Sequence, residues 1–296
     1  MLPHWRFFWR FLDRLRARSS EHEILTNRSF TLVSESARGY NNIYDYSILR
    51  PMSIDVQLFA TCLIDTLFPE IGEAVVSVLE KAGTHVHLPK GQTCCGQPAY
   101  NAGLRKEARK LAKHTLQIFK NTNDPIVIPS GSCAAMIRHG YLELFAEDRT
   151  WLPIARDVAE RTFEFSEFLV DQLGIMDIGA HFRGRICYHA SCHLLRDIGV
   201  DNQPRTLLSA VQGAEIVELH GADECCGFGG VFSVEHPEIS AAMLNRKLNN
   251  INASNTQAVV ACDAGCIANI NGGFSRRGEK PRAHHLAEIL DQRVDD

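Results

Sequence analysis

Gln92-Thr-Cys-Cys-Gly96 returns 131 residues later as Asp223-Glu-Cys-Cys-Gly227. Two adjacent-cysteine motifs with the same trailing glycine invite a comparison of their surroundings. Upstream, 31 residues separate Cys62 from Cys94, and 32 separate Cys192 from Cys225. Downstream, 37 residues separate Cys95 from Cys133, and 39 separate Cys226 from Cys266. Equivalent cysteines are therefore offset by 130 (62 to 192), 131 (94 to 225) and 133 (133 to 266). Near-constant offsets mark an internal duplication. The flanks agree: Ser130-Gly-Ser-Cys133, followed by Ala-Ala-Met-Ile137, matches Asp263-Ala-Gly-Cys266, followed by Ile-Ala-Asn-Ile270.

Outward from these motifs, short β-branched runs alternate with helical patterns. The first half reads as strands over 55–61, 85–88 and 125–129, with helices over 65–82, 104–121 and 134–145. Residues 151–173 also read as helical. The second half repeats the order, with strands over 185–189, 215–219 and 257–261. Its helices are expected over 204–211, over 239–253 and from Ile267, and a final one includes His285 to Gln292. Alternation of this kind predicts an α/β fold with parallel sheets. The expectation is two similar domains from the duplication, with the cysteines at the carboxyl ends of strands. The glycine-bearing stretch 174–184 is a natural boundary. We therefore expect an N-terminal extension over 1–51, a first cysteine-rich domain over 52–178 and a second over 179–296.

The chain has 296 residues, 45% of them hydrophobic and 22% charged, with a net charge of −4. That balance suits a globular protein and gives no reason to expect nucleic acid as a partner. No run reaches the ~18 apolar residues that a membrane span needs. No secretory apolar core precedes a small-residue cleavage site, so the expected location is the cytoplasm. Residues 1–20 differ from the rest: Trp5, Phe8, Trp9, Leu12 and Leu15 at helical spacing, interleaved with arginines, suit a basic amphipathic helix in peripheral contact with a membrane or a partner. The other reading starts translation at Met52 and makes 1–51 an upstream extension.

The ten cysteines carry the chemistry. Adjacent cysteines pair only with strain, which argues against a disulfide framework, and clustered thiols in a reducing compartment point to metal or redox chemistry. The bland reading makes them small buried hydrophobes. In an open parallel sheet the carboxyl ends of strands share one edge, so ligands over 30 residues apart meet there. Cys62, Cys94, Cys95 and Cys133 form one set of four; Cys192, Cys225, Cys226 and Cys266 form the other. Four thiolates per half is the ligand number of an iron–sulfur cluster. Zinc is the competing metal, although its ligands usually come in pairs two to four residues apart. Gly96 and Gly227 let backbone N–H groups approach the sulfurs. Cys187 reads as packing inside a strand. His193 is a loop histidine or a proton shuttle, and His189, His220, His284 and His285 give weaker signals. Arg196 with His193 is the nearest pair that could take a hydroxy-acid substrate. No flavin or nicotinamide fingerprint is present.

Phe59-Ala-Thr-Cys-Leu63, Cys94-Cys-Gly-Gln-Pro-Ala-Tyr-Asn101, Pro129-Ser-Gly-Ser-Cys133, Ser191-Cys-His193 and Cys225-Cys-Gly-Phe-Gly-Gly230 together resemble the CCG-domain cysteine-rich proteins, and in particular the lactate utilization protein A family. The resemblance runs from Met52 to the C-terminus. It implies an iron–sulfur electron-transfer subunit of a multi-protein oxidoreductase that oxidises L-lactate, or a similar 2-hydroxy acid, to pyruvate with companion iron–sulfur and lactate-utilization subunits. More distant relatives are the cysteine-rich subunits of heterodisulfide reductase, glycolate oxidase and anaerobic glycerol-3-phosphate dehydrogenase. The heterodisulfide reductase pattern has five cysteines per half and ends in Cys-x-x-Cys. Here the first half ends in Cys133-Ala-Ala-Met136, and Cys262, whose counterpart is Pro129, reads as core. One ordinary 4Fe–4S centre per half is the simpler fit. The rivals are a disulfide-cleaving subunit of the heterodisulfide reductase kind and a zinc-stabilised scaffold of a redox complex.

Overall fold

In the computed structural model, residues 54–292 are described. The amphipathic pattern at 1–20, the start at Met52 and the extension 1–51 lie outside them. Eight strands form two four-stranded sheets, ordered β2-β1-β3-β4 and β6-β5-β7-β8. The strands are β1 Ile54–Leu58, β2 Thr84–His87, β3 Ile126–Ile128, β4 Thr162–Glu164, β5 His181–Tyr188, β6 Gln212–Val217, β7 Ala258–Ala261 and β8 Arg282–His285. The two sheets have the same strand order, as a duplication requires, and their strands run parallel. Parallel neighbours need crossover connections, and helices between the strands supply them. Strands covered on both faces need apolar residues at every position. β3 (Ile-Val-Ile) and β7 (Ala-Val-Val-Ala) are buried throughout.

The structure corrects the sequence reading in three places. The helix expected over 65–82 is two helices, Cys62–Leu67 and Pro69–Lys81. Proline lacks the N–H that would continue a helix but is well suited to begin one. The helix expected over 151–173 is interrupted by β4, which leaves Trp151–Glu160 before it and a short helical stretch from Phe165 after it. Likewise His284 and His285 end β8 and do not open a helix; His285 caps the helix Leu286–Leu290. In both fourth strands the last residue forms a capping box with a glutamate three residues on, Glu164 with Glu167 and His285 with Glu288. A capping box starts a new helix and so ends the strand.

The core of the first half packs the helix Arg105–Phe119 against β3 and Phe59 through Ala108, Ala112, Leu116 and Phe119. Phe59 and Phe119 meet edge to face, centroids 5.8 Å apart. No helix among the described residues is long and apolar enough to cross a membrane.

Candidate functional site

Each cysteine of the two sets follows the carboxyl end of a strand. Cys62 and Cys192 are the first residues of the helices after β1 and β5. The pairs Cys94-Cys95 and Cys225-Cys226 lie in the loops after β2 and β6. Cys133 and Cys266 sit in the first turn of the helices after β3 and β7, behind the N-caps Ser130 and Asp263. All eight line one cavity of about 150 Å³, together with Gln97, Asn101, Ser132, His193 and Asp263. Cys187 and Cys262 do not line it; both are buried among core residues.

Within each half the thiols are close. Cys95 Sγ lies 3.3 Å from Cys133 Sγ, and Cys226 Sγ lies 3.3 Å from Cys266 Sγ. All ten cysteines are free. The glycine after each pair turns its backbone back onto the first sulfur. Gly96 N–H donates to Cys94 Sγ at 3.4 Å, and Gly227 N–H to Cys225 Sγ at 3.3 Å. Both glycines hold a positive φ, 91° and 87°, a conformation that costs any residue with a Cβ.

Hydrogen bonds polarise the thiols. Cys62 and Cys95 donate toward Cys94, which with the Gly96 N–H pushes the Cys94 thiol well down. Cys192, Cys226 and Gly227 do the same for Cys225. Their partners Cys62 and Cys192 are pushed up by those hydrogen bonds and by burial. In the second half the hydrogen bond from Cys226 pushes Cys266 down as well, to about 6, and thiolate character beside neutral thiols is a donor set that fits a sulfur-bound metal or cluster.

The two halves are tied together at the cavity. Asp263 Oδ2 accepts from Ser130 Oγ at 3.1 Å and from Ser132 N–H at 3.0 Å. Gly131 N–H donates to Cys262 O at 3.2 Å. Behind the cysteines, Tyr141 OH donates to Cys95 O at 2.8 Å, and Asn269 Nδ2 donates to Cys226 O at 2.9 Å. The pair Arg196 and His193 does not form a substrate clamp. His193 lines the cavity with Nδ1 on Asp197, whereas Arg196 Nη2 is spent on Asp223 O at 2.8 Å.

Two residues behind the second set carry more than their sequence signal suggested. His189 is fully buried, and one of its ring nitrogens shares a 4.8 Å neighbourhood with Cys226 Sγ and Cys266 Sγ. Lys247 is also buried, and its ammonium donates to Gly221 O and Ala222 O. Burial pushes its pKa down. A signal existed for both. Aligning the copies on their cysteines sets His189 opposite Phe59, and aligning the helices that back the two glycines sets Lys247 opposite Thr115.

Residues 56–138 and 186–271 each match the family model of the CCG cysteine-rich domain. The chain is 44% identical over 241 residues to the lactate utilization protein A of Exiguobacterium sp., aligning 81% of this chain with 98% of that protein. The protein of the same name from Geobacillus sp. is 44% identical over 238 residues, covering 80% of this chain and 99% of its own length. That from Anoxybacillus flavithermus is 43% identical over 240 residues, covering 81% and 100%. With both cysteine-rich segments matched and these relatives aligned almost end to end, the chain belongs to the lactate utilization protein A family of CCG cysteine-rich proteins.

Proposed function

We propose that this chain is the iron–sulfur electron-transfer component of a multi-protein oxidoreductase that oxidises L-lactate, or a similar 2-hydroxy acid, to pyruvate. The observation that carries the reading is the convergence of eight thiols, four from each half, on one cavity. Lactate utilization, the term in the names of the relatives, supplies the substrate class. Cys62, Cys94, Cys95 and Cys133 would hold one 4Fe–4S centre, and Cys192, Cys225, Cys226 and Cys266 the other. When bound, such centres accept and release single electrons.

The residues of the chain itself set the conditions. Gly96 and Gly227 donate N–H groups to sulfur, which stabilises negative charge there. Asp263 and Ser130 hold the two first turns together, which fixes the spacing of the sets. Among the described residues no arginine lines the cavity, and the nearby Arg196 donates to Asp223 O. In this reading a companion subunit carries the substrate chemistry, and this chain relays the electrons through a cytoplasmic complex. The domain division over 52–178 and 179–296 belongs to the same reading.

The test is anaerobic purification with iron, sulfide and zinc analysis. About eight irons and eight sulfides per chain are expected for two four-iron centres. Zinc without sulfide would leave only the scaffold reading. Loss of the optical signal on adding a disulfide, with thiol released, would favour the disulfide-cleaving one.

A further inference from the structure

The halves repeat each other around the cysteines and part at one buried position. Phe59 and His189 are equivalent: each follows the first strand of its half, and each donates its backbone N–H to the neighbouring strand, to Val127 O at 3.0 Å and Val260 O at 2.8 Å. Phe59 packs in an apolar cluster with Cys95 and Cys133. His189 stands against the matching pair, Cys226 and Cys266, within the 4.8 Å neighbourhood of their sulfurs.

The two ring nitrogens are committed differently. Nδ1 lies 3.2 Å from Ala222 O. A carbonyl oxygen only accepts, so the ring proton sits on Nδ1 and Nε2 carries a lone pair. Nε2 is buried beside the Cys266 sulfur, with which it interacts, and makes no conventional hydrogen bond. Structures rarely leave a buried acceptor unpaired without a reason. A metal-ligating histidine has this arrangement: one ring N–H on a carbonyl, the other nitrogen bare toward the metal.

We propose that His189 is a nitrogen ligand, through Nε2, to the metal-containing group held by the second set of cysteines. The second centre then has a mixed sulfur and nitrogen donor set, and the first is all-sulfur. This inference rests on the reading that those cysteines hold such a group.

The test uses the full chain, purified anaerobically from cells fed ¹⁵N-histidine, with iron, sulfide and zinc measured on the same sample. Pulsed EPR of the reduced protein is expected to show the strong ¹⁵N coupling of a bound imidazole in one of two signals. His189→Phe, which copies the first half, abolishes that coupling and leaves the other signal unchanged. His189→Gln does the same and guards against misfolding, which a circular dichroism melt reports. Loaded clusters without the coupling in the unaltered chain, or a coupling that survives both substitutions, would overturn the proposal while leaving the cluster reading intact. Zinc without sulfide would overturn the cluster reading; X-ray absorption at the zinc edge would then have to show imidazole, lost in His189→Phe, for the ligand assignment to stand. A chain that takes up neither iron nor zinc would refute both.

Discussion

The two halves carry the same four thiols on the same strand ends, and they differ in what stands behind the sulfurs. The first half backs its site with Phe59, Thr115 and Tyr141, a largely apolar wall that gives one hydroxyl to Cys95 O. The second half backs it with His189, Lys247 and Asn269. Loops that hold sulfur repeat, whereas the wall that tunes them does not. Duplication preserves what the fold needs to bring ligands together, and polar substitution behind the ligands sets their electrostatics independently. A buried ammonium and an imidazole on one side only should make two otherwise similar sites take up electrons at different potentials.

The largest expected effect tests whether the halves are separate at all. Cys133→Ser should remove the iron of the first half, and Cys266→Ser that of the second, each leaving about half of the total metal. Iron and sulfide analysis of the two variants decides it. If either substitution empties the chain completely, the thiols share a single centre and the comparison of two sites fails.

Much of this arrangement is legible in the sequence because cysteine is rare and its spacing is set by whole βα units. The offsets around 130 survive small loop changes, and all eight cysteines reach the cavity. The fourth strands are not legible. β4 is only Thr162-Phe163-Glu164, one residue after a helix and directly before another. Too few residues are present there for a period of two to show against the helical pattern on both sides. The stretches Phe165-Ser-Glu-Phe-Leu-Val-Asp-Gln-Leu173 and His285-Leu-Ala-Glu-Ile-Leu-Asp-Gln292 are alike in sequence, and each opens at a capping box directly after a fourth strand. His189 escapes for a different reason: a search for repeats looks for identity, and its signal is a difference from Phe59.

A second comparison concerns the glycines. Both have positive φ, so alanine at either costs about 1–2 kcal/mol from backbone conformation alone. Surroundings separate them. A Cβ on Gly227 would stand 2.5 Å from Ser240 O, whereas on Gly96 it would stand 3.3 Å from Ala108 O. Backbone cannot yield as a flexible side chain can, so Gly227→Ala should lose a further ~1–3 kcal/mol as an overpacked site. Denaturant midpoints of the metal-free variants measure this. Equal losses would mean that the helix Pro237–Ala253 shifts freely, and that the second loop is no tighter than the first.

The smallest effect separates the two capping residues by pH. Burial raises the Glu164 carboxyl from 4.5 to about 7, and burial lowers the His285 imidazole from 6.5 to about 4. As pH rises from 4.5 toward 7, the unfolded chain gives up the Glu164 proton before the folded chain does, so this group contributes less stability. As pH falls from 6.5 toward 4, the unfolded chain protonates His285 and the folded chain resists, so that contribution is lost. Each slope spans on the order of 3 kcal/mol, and the two oppose each other across the same interval. Relative to the unaltered chain, Glu164→Gln should lose stability more steeply as pH falls from 6.5 to 4.5, since only the His285 slope remains of the pair. His285→Asn should instead gain relative stability over that fall. His285 also donates to Pro129 O in the first half, so His285→Asn lowers stability at every pH; the slope, not the height, is the measure. Parallel slopes in urea titrations of the two variants would show that neither cap is held in the protonation state its burial demands.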